Sequence, residues 1–325
     1  MMNNIAVIGA GQLGSRHIQG LAGINIPINI FVVEPNEKNR EIAESRYNEM
    51  PVNKNINTFS IHGSLVELPE NIDVAIIATN ADVRASVTVD LINNKKVSKI
   101  IFEKVLFQKY EDYDLIESIL LKNKIDAWVN CPRRTFPFYK SLKDLFMGEV
   151  VNLNLNGGNW GMGCNSMHFI DLMGYLNSSI IESFDTTRVD SAEIESKRKG
   201  FIELTGTLCG KFKNCAQILL ESNRDSIVPP IVDIYSNKIR VVVFEHIKKA
   251  LVFKESNGWK PVEEVFDFPF QSQLTNHLVS DIISKSSCDL ANYSESSSLH
   301  KPFIKALILH INSNNKEEYT FCPIT

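Results

Sequence analysis

The stretch Asn4-Ile5-Ala6-Val7-Ile8-Gly9-Ala10-Gly11-Gln12-Leu13-Gly14-Ser15-Arg16-His17 decides the fold. Its first part, from Ile5 to Ile8, is a short apolar run, the form of a strand buried on both faces of a parallel sheet. Gly9, Gly11 and Gly14 follow in the G-x-G-x-x-G spacing. In such a turn the first glycine permits the sharp reversal from strand to helix. The second lets backbone amides approach a pyrophosphate, and the third lets the helix pack close to the strand. After Gly11 the chain reads as a helix with Leu13, His17 and Leu21 on one side. Its N-terminus aims unpaired N–H groups and positive dipole at the phosphates.

Glycine spacing alone is a weak signal. Here a second apolar run, Ile28–Val33, ends in Glu34, 20 residues beyond Gly14. That is where a carboxylate accepts from the ribose hydroxyls of an adenosine. A dinucleotide site is therefore predicted, with Gly9, Gly11, Gln12, Leu13, Gly14 and Glu34 in contact with the cofactor.

The length of 325 residues suggests about two domains. Apolar and charged fractions are those of an ordinary soluble globular protein. A net charge of -4 without a long basic run disfavours non-specific nucleic-acid binding. No run of 18 apolar residues occurs, so no membrane span is expected. The chain enters its first strand at once, and a cytoplasmic protein without a signal peptide is the expectation. The six cysteines form no C-x-x-C pair and read as reduced thiols; no metal spacing is present.

Residues 36–47 read as a helix capped by Asn36, and Ser64 caps a short helix toward Leu68. A buried strand over 72–79 ends in Ala78-Thr79-Asn80. A helix over 81–92 follows, with Val83, Val87 and Leu91 on one face. Lys99 to Phe102 is a strand ending in Glu103-Lys104, a helix covers 112–121, and a last strand runs 125–129. This alternation argues a parallel sheet with helices on both faces, a Rossmann domain over 1–130. Ligands in such sheets sit beyond the carboxyl ends of the strands. The glycine turn, Glu34, Thr79, Asn80, Glu103, Lys104 and Asn130 all fall at those ends.

From Gly148 the pattern changes to period two, with Val151, Leu153 and Leu155 alternating with Asn152, Asn154 and Asn156. Strands are predicted at 184–189, 201–208, 212–220, 231–235, 239–244 and 250–253. Short turns between them argue a mainly antiparallel open meander in an α+β second domain, 131–325. Between its first two strands a glycine-rich loop, 157–163, leads into a helix. Phe169, Leu172, Met173 and Leu176 form its apolar stripe, and Cys164, His168, Asp171 and Tyr175 a neighbouring one. A metal reading of His168 and Asp171 lacks a third ligand. Helices over 271–284 and 295–311 close the domain, with His300 and His310 structural or exposed.

Gly-Ala-Gly-x-x-Gly-x-Arg-His at 9–17, Glu34-Pro35, Ala78-Thr79-Asn80 and Glu103-Lys104 resemble the glucose–fructose oxidoreductase / inositol dehydrogenase (Gfo/Idh/MocA) family over most of the chain. The resemblance implies that Lys104 contacts the nicotinamide ribose and the substrate hydroxyl, with Glu103 beside it. It also implies that His168 and Asp171 flank the substrate. The family's proline after that lysine is Val105 here, and Cys164 and Ser166 replace its usual Asp and Gly. Dimers or tetramers through the second sheet are a further implication.

The expected activity is hydride transfer between a nicotinamide and a carbohydrate hydroxyl or ketone. A lysine needs its pKa lowered by roughly three units to act as a base near neutral pH, whereas a histidine needs little tuning. His168 is therefore predicted as acid/base, Lys104 as the group that polarises the oxygen, and Asp171 as the orienter of the imidazole or a sugar ligand. Glu34 favours NAD(H) over NADP(H) by repelling a 2′-phosphate. Arg133 and Arg134 are candidates for an anionic group such as that of a nucleotide-linked sugar, a structural salt bridge being the alternative. Trp160 and Asn165 are further substrate candidates. The competing reading is a non-catalytic NAD-binding sensor or structural protein; an enzyme that retains NAD through its cycle is a third.

Overall fold

The computed structural model describes residues 2–315 and 318–325. In chain order the elements begin β1 (Asn3–Ile8), α1 (Gln12–Ala22), β2 (Ile28–Val33), α2 (Glu37–Asn48), β3 (Ile56–His62) and β4 (Asn71–Ile77). They continue α3 (Ala81–Asn94), β5 (Lys96–Glu103), α4 (Tyr110–Asn123), β6 (Asp126–Asn130), α5 (Pro137–Leu145), β7 (Asn152–Gly157) and α6 (Met162–Asn177). Next come β8 (Ile181–Val189), β9 (Ile194–Glu195), β10 (Ile202–Glu203), β11 (Gly206–Phe212), β12 (Gln217–Ser222), β13 (Ile231–Tyr235) and β14 (Ile239–Phe244). The last are β15 (Lys249–Lys254), β16 (Val262–Val265), α7 (Gln271–Lys285), β17 (Ala291–Asn292) and α8 (Tyr293–Asn314).

The chain divides into two compact units. The first holds residues 1–107, 111–130 and 269–293. Its sheet has the order β17-β6-β5-β4-β1-β2-β3, parallel except for β17. That is the doubly wound dinucleotide-binding order with one strand added. Ile5, Val7, Val74, Ile76, Ile100 and Ile101 are fully buried, as strands covered on both faces require. Asn36 caps α2, its side chain accepting from the Asn39 N–H, and Ser64 and Glu67 form a reciprocal capping box on a 3-10 turn. The expected second domain of 131–325 is corrected here, because residues 269–293 return to the first unit. The reason is packing at a distance in sequence: α7 lies on α1, where Gly20 leaves room for Thr275.

The expected face of α3 is also corrected. Ala81, Arg84, Ala85, Thr88 and Leu91 are its buried residues, while Val83 is exposed.

The second unit holds residues 108–110, 131–268 and 294–325. Its eight-stranded sheet has the order β16-β15-β14-β13-β7-β12-β11-β8. It is mainly antiparallel, but it is not a simple meander. β7 sits between β13 and β12 and runs parallel to β12. The strands expected at 201–208 and 212–220 are shifted. Leu204 and Thr205 separate β10 from β11, which opens on Gly206 at φ 94, and the reversal between β11 and β12 falls at Cys215, at φ 70. Along β7, Leu153 and Leu155 are buried while Asn152 and Asn154 are half-exposed, as the alternation predicts. His300 is buried, and His310 hydrogen-bonds the Asp190 carbonyl; both are structural. Among the described residues no helix is long and apolar enough to cross a membrane.

Candidate cofactor and substrate residues

The glycine turn is built as its spacing demands. Gly9 takes a φ of 90, which L side chains rarely adopt. A Cβ on Gly14 would stand 1.9 Å from the Gly9 carbonyl oxygen, so α1 can approach β1 this closely only with glycine there. Gly11 caps α1 without any side-chain hydrogen bond, and a Cβ there would meet nothing within 4 Å. The N-terminus of α1 thus has open space at Gly11 and no side-chain cap, as an anion site needs.

A cleft of about 550 Å³ in the first unit is lined by Gly9, Gly11, Glu34, Thr79 and Asn80. Val83 and Val87 line it too, which explains why apolar residues sit on the open face of α3. Glu34 is buried at the cleft. One carboxylate oxygen accepts from the Ala10 N–H at 2.8 Å and the other from the Asn36 N–H at 2.9 Å. Each oxygen keeps a lone pair for a ribose hydroxyl. Arg40 donates to the carbonyls of Glu34 and Pro35. Thr79 Oγ1 is buried with no hydrogen-bond partner. A cradle without Cβ atoms, a fixed carboxylate and an orphaned hydroxyl fit a dinucleotide. Gln12 and Leu13 lie in the first turn of α1 and are absent from the cleft lining; the Gln12 side chain accepts from Arg46.

Glu103 is placed otherwise than expected. It is buried away from the cleft, and Oε1 meets His17 Nε2 at 2.8 Å and accepts from Asn130 Nδ2 at 2.5 Å. His17 Nδ1 in turn contacts Thr275 Oγ1 at 2.9 Å, and Asn130 Nδ2 also donates to Gln271 Oε1. The carboxylate therefore ties α1 and β6 to the end of β5 and, through His17 and Asn130, reaches α7. Lys104 follows it, half-buried, and the Lys104–Val105 peptide is cis.

In the second unit the two arginines expected to meet an anionic substrate are both committed internally. Arg133 donates through Nε and Nη2 to Glu245 at 3.1 and 3.0 Å and stacks over the Phe169 ring. Burial disfavours the Glu245 charge, yet Arg133 and the Tyr139 hydroxyl outweigh it and hold that carboxyl below its ordinary range. Arg134 is 4% exposed and donates to Asp171 Oδ2 at 2.8 Å and to Glu295 Oε1 at 2.7 Å. Burial works against its charge too, but the two carboxylates hold it well above its ordinary range. The structural salt bridge is the alternative that the geometry selects for both.

Asp171 is thereby corrected as well: its partner is Arg134, and its other oxygen is buried without a hydrogen bond. His168 lies half-buried one turn before it on α6. Trp160 Nε1 donates to the Glu221 carbonyl, and Asn165 Nδ2 donates to the Trp160 carbonyl, so both stabilise the loop ahead of α6. Glu203, which no local pattern marks, accepts from the N–H groups of Gly163 and Cys164 at 2.7 and 3.2 Å. A carboxylate from β10 thus supplies the N-terminal cap that α6 lacks in its own sequence. Among the described residues no group of three or more His, Cys, Asp or Glu side chains is arranged to hold a metal ion.

Burial pushes the Asp171 carboxyl up to about 6 from an ordinary 3.8, against the pull of Arg134. The fold thus favours the neutral acid, and the native state binds more proton than the unfolded chain between those values. This contribution to stability is fully present below about pH 3.8 and is lost as pH rises through about 6. Asp171→Asn lacks the titration. The stability of the wild type relative to this variant is expected to fall by roughly 2–3 kcal/mol from pH 4 to 6.5, read from urea melts. A difference that grows with pH would contradict it.

Residues 3–130 match the model of the GFO_IDH_MocA oxidoreductase family, NAD-binding Rossmann fold. The chain carries the NAD-binding domain of the Gfo/Idh/MocA oxidoreductases. A search of curated proteins by sequence finds no match. Among solved structures, UDP-N-acetylglucosamine 3-dehydrogenase GnnA from Acidithiobacillus ferrooxidans is similar at a TM-score of 0.72 and 12% identity, covering 97% of this chain and 99% of that one. An oxidoreductase from Agrobacterium radiobacter, in complex with NAD+, L-tartaric acid and magnesium, is similar at 0.74 and 12%, covering 96% and 97%. The super-repressor mutant of Gal80p from Saccharomyces cerevisiae is similar at 0.71 and 13%, covering 97% of both chains. At these identities the likeness is one of fold.

Proposed function

We propose that this Gfo/Idh/MocA-type protein is an NAD-dependent dehydrogenase or ketoreductase acting on a carbohydrate hydroxyl, with a nucleotide-linked sugar as the substrate class to test first. The observation that carries it is the cleft whose glycine turn, Glu34 carboxylate and orphaned Thr79 hydroxyl suit a dinucleotide. Bound NAD supplies hydride acceptance or donation at its nicotinamide ring. The chain's own work is proton transfer and orientation. Lys104 polarises and orients the substrate oxygen, and His168 takes or returns its proton. The Arg134–Asp171 pair fixes the α6 helix on which His168 stands, so Asp171 acts as a support for that helix and not as a sugar ligand. The sugar class is supported by the nucleotide-sugar dehydrogenase among the structures of the same fold. Turnover of NAD or NADH on a panel of sugars and nucleotide sugars tests this reading, and activity confined to non-carbohydrate substrates would overturn the substrate class.

Glu34 supports NAD(H) over NADP(H). Its carboxylate is pinned by two N–H groups at the cleft and meets a 2′-phosphate with like charge, while Arg40 is turned onto main-chain carbonyls. Calorimetry is expected to give NADH a dissociation constant at least about tenfold below that of NADPH, a difference of about 1.4 kcal/mol. Tighter NADPH binding would sink this assignment.

A homodimer or homotetramer through the eight-stranded sheet is also proposed. Its support is that β13 and β15 alternate fully buried residues with half-exposed ones, leaving one face of the sheet open. Sedimentation at micromolar concentration tests it. A second reading, a non-catalytic NAD sensor, has one observation in its favour: Arg133, Arg134 and Asp171 are all consumed by internal pairs. NADH binding without turnover across the panel, together with no phenotype for Lys104 or His168 variants, would select it.

A further inference from the structure

We infer that Arg84 is a positioning residue that holds the segment carrying Lys104, an inference that rests on the role proposed for Lys104 above. Arg84 lies on α3 and is 2% exposed. Its Nη1 donates to the carbonyl oxygens of Glu103 at 2.8 Å, Val105, and Leu106 at 2.9 Å. Its Nη2 donates to the carbonyl oxygen of Thr79. Three of these four acceptors bracket Lys104 in sequence. The fourth belongs to a residue that lines the dinucleotide cleft. One planar group thus ties the turn that presents the lysine to the strand end that faces the cofactor.

The residue type follows from the acceptors. Buried main-chain carbonyls in a turn need donors, and a buried guanidinium is tolerated only when hydrogen bonds satisfy it. Here the carbonyls gain donors and the two Nη groups gain acceptors. Lysine carries its donors on one atom and cannot reproduce the fork, so it cannot span acceptors on two strand ends. An apolar residue would fill the space but leave the carbonyls unpaired. Burial alone would have been met by leucine; the distribution of acceptors on both sides of Lys104 is what points to positioning.

Arg84→Lys and Arg84→Gln, made in the full chain, test this. Three quantities are read: thermal melting, NADH affinity by fluorescence, and the reactivity of the Lys104 amine. The last is measured by competitive acetic anhydride labelling and peptide mass spectrometry, with the exposed Lys38 and Lys54 as internal standards. In the wild type NADH is expected to protect Lys104. Both variants are expected to fold, to label Lys104 several-fold faster relative to the standards, and to lose the NADH protection. NADH affinity is expected to fall about tenfold, in line with the loss of charge-assisted bonds. Unchanged labelling and protection in a folded variant would overturn the inference. So would failure of both variants to fold, since Arg84 would then be required by the whole unit. If Lys104→Met keeps its turnover while Arg84 variants still alter Lys104 labelling, the proposed role of Lys104 falls and the positioning stands.

Discussion

Lys104→Met is expected to lower turnover on an active sugar by a factor of about 10²–10⁴ while leaving NADH affinity within about threefold. Methionine matches the length of lysine and lacks its charge and donors, so it separates chemistry from packing. Lys104 is half-buried at the end of β5, the position where polar groups of a doubly wound sheet meet their ligand. A positive group held there stabilises negative charge that grows on the substrate oxygen as its proton leaves. That interaction strengthens in the transition state, so its loss appears in kcat more than in KM. His168→Asn removes the proton acceptor and is expected to cost a similar factor. The double variant is expected to be no worse than about tenfold below the weaker single, because groups that act on one proton are not additive. Single-turnover rates at saturating NAD decide it. Near-wild-type turnover in Lys104→Met would remove the lysine from the mechanism and favour the sensor reading.

The first unit was legible because its signals are local. A strand buried on both faces must be a continuous apolar run, and a glycine turn must place its glycines within a few residues of the strand end. Glu34, Thr79 and Asn80 could therefore be placed at one cleft from strand ends alone. The same logic failed on α3. Val83 and Val87 look like core on a helical wheel, but hydropathy does not distinguish a core face from an apolar cleft wall. Arg84 was hidden for the complementary reason: its acceptors are main-chain carbonyls, which leave no mark on residue type. In the second unit the hidden information is the pairing of charges. Asp171 lies 37 residues from Arg134, and Glu295 lies 161 residues from it. Without partners, two adjacent arginines resemble an anion site; with them, they are the props of α6. Glu203 is the clearest case. The cap that α6 needs is absent where helix signals are sought and arrives from a strand 40 residues later.

Gly14→Ala and Gly11→Ala are expected to separate what the glycine turn does for the fold from what it does for the ligand. At Gly14 an added methyl would lie 1.9 Å from the carbonyl oxygen and 2.8 Å from the carbonyl carbon of Gly9. These are backbone atoms of a turn that already sits at positive φ and packs so close to the strand end at Ala78 and Thr79 that a Cβ on Gly9 would itself stand 2.9 Å from Thr79 N, so it has little room to yield. The alternative is for α1 to move off β1. That would disturb Ile18 and Leu21, which are fully buried, and would draw His17 away from Glu103. Overpacking of this kind costs about 3 kcal/mol, and a drop of several degrees in Tm is expected together with weaker NADH binding. At Gly11 the backbone is at φ -62 and an added methyl meets nothing. The loss there is only the weaker cap that alanine makes, about 1 kcal/mol. The methyl nevertheless stands in the open space before the first N–H groups of α1, where phosphate oxygens must come close. Gly11→Ala is therefore expected to melt within a few degrees of the wild type and to bind NADH at least about tenfold more weakly. Fluorescence titration beside a thermal melt reads both quantities on the same samples. If Gly11→Ala bound NADH as the wild type does, the pyrophosphate would have to lie elsewhere, and the cleft at Glu34 and Thr79 would need another occupant.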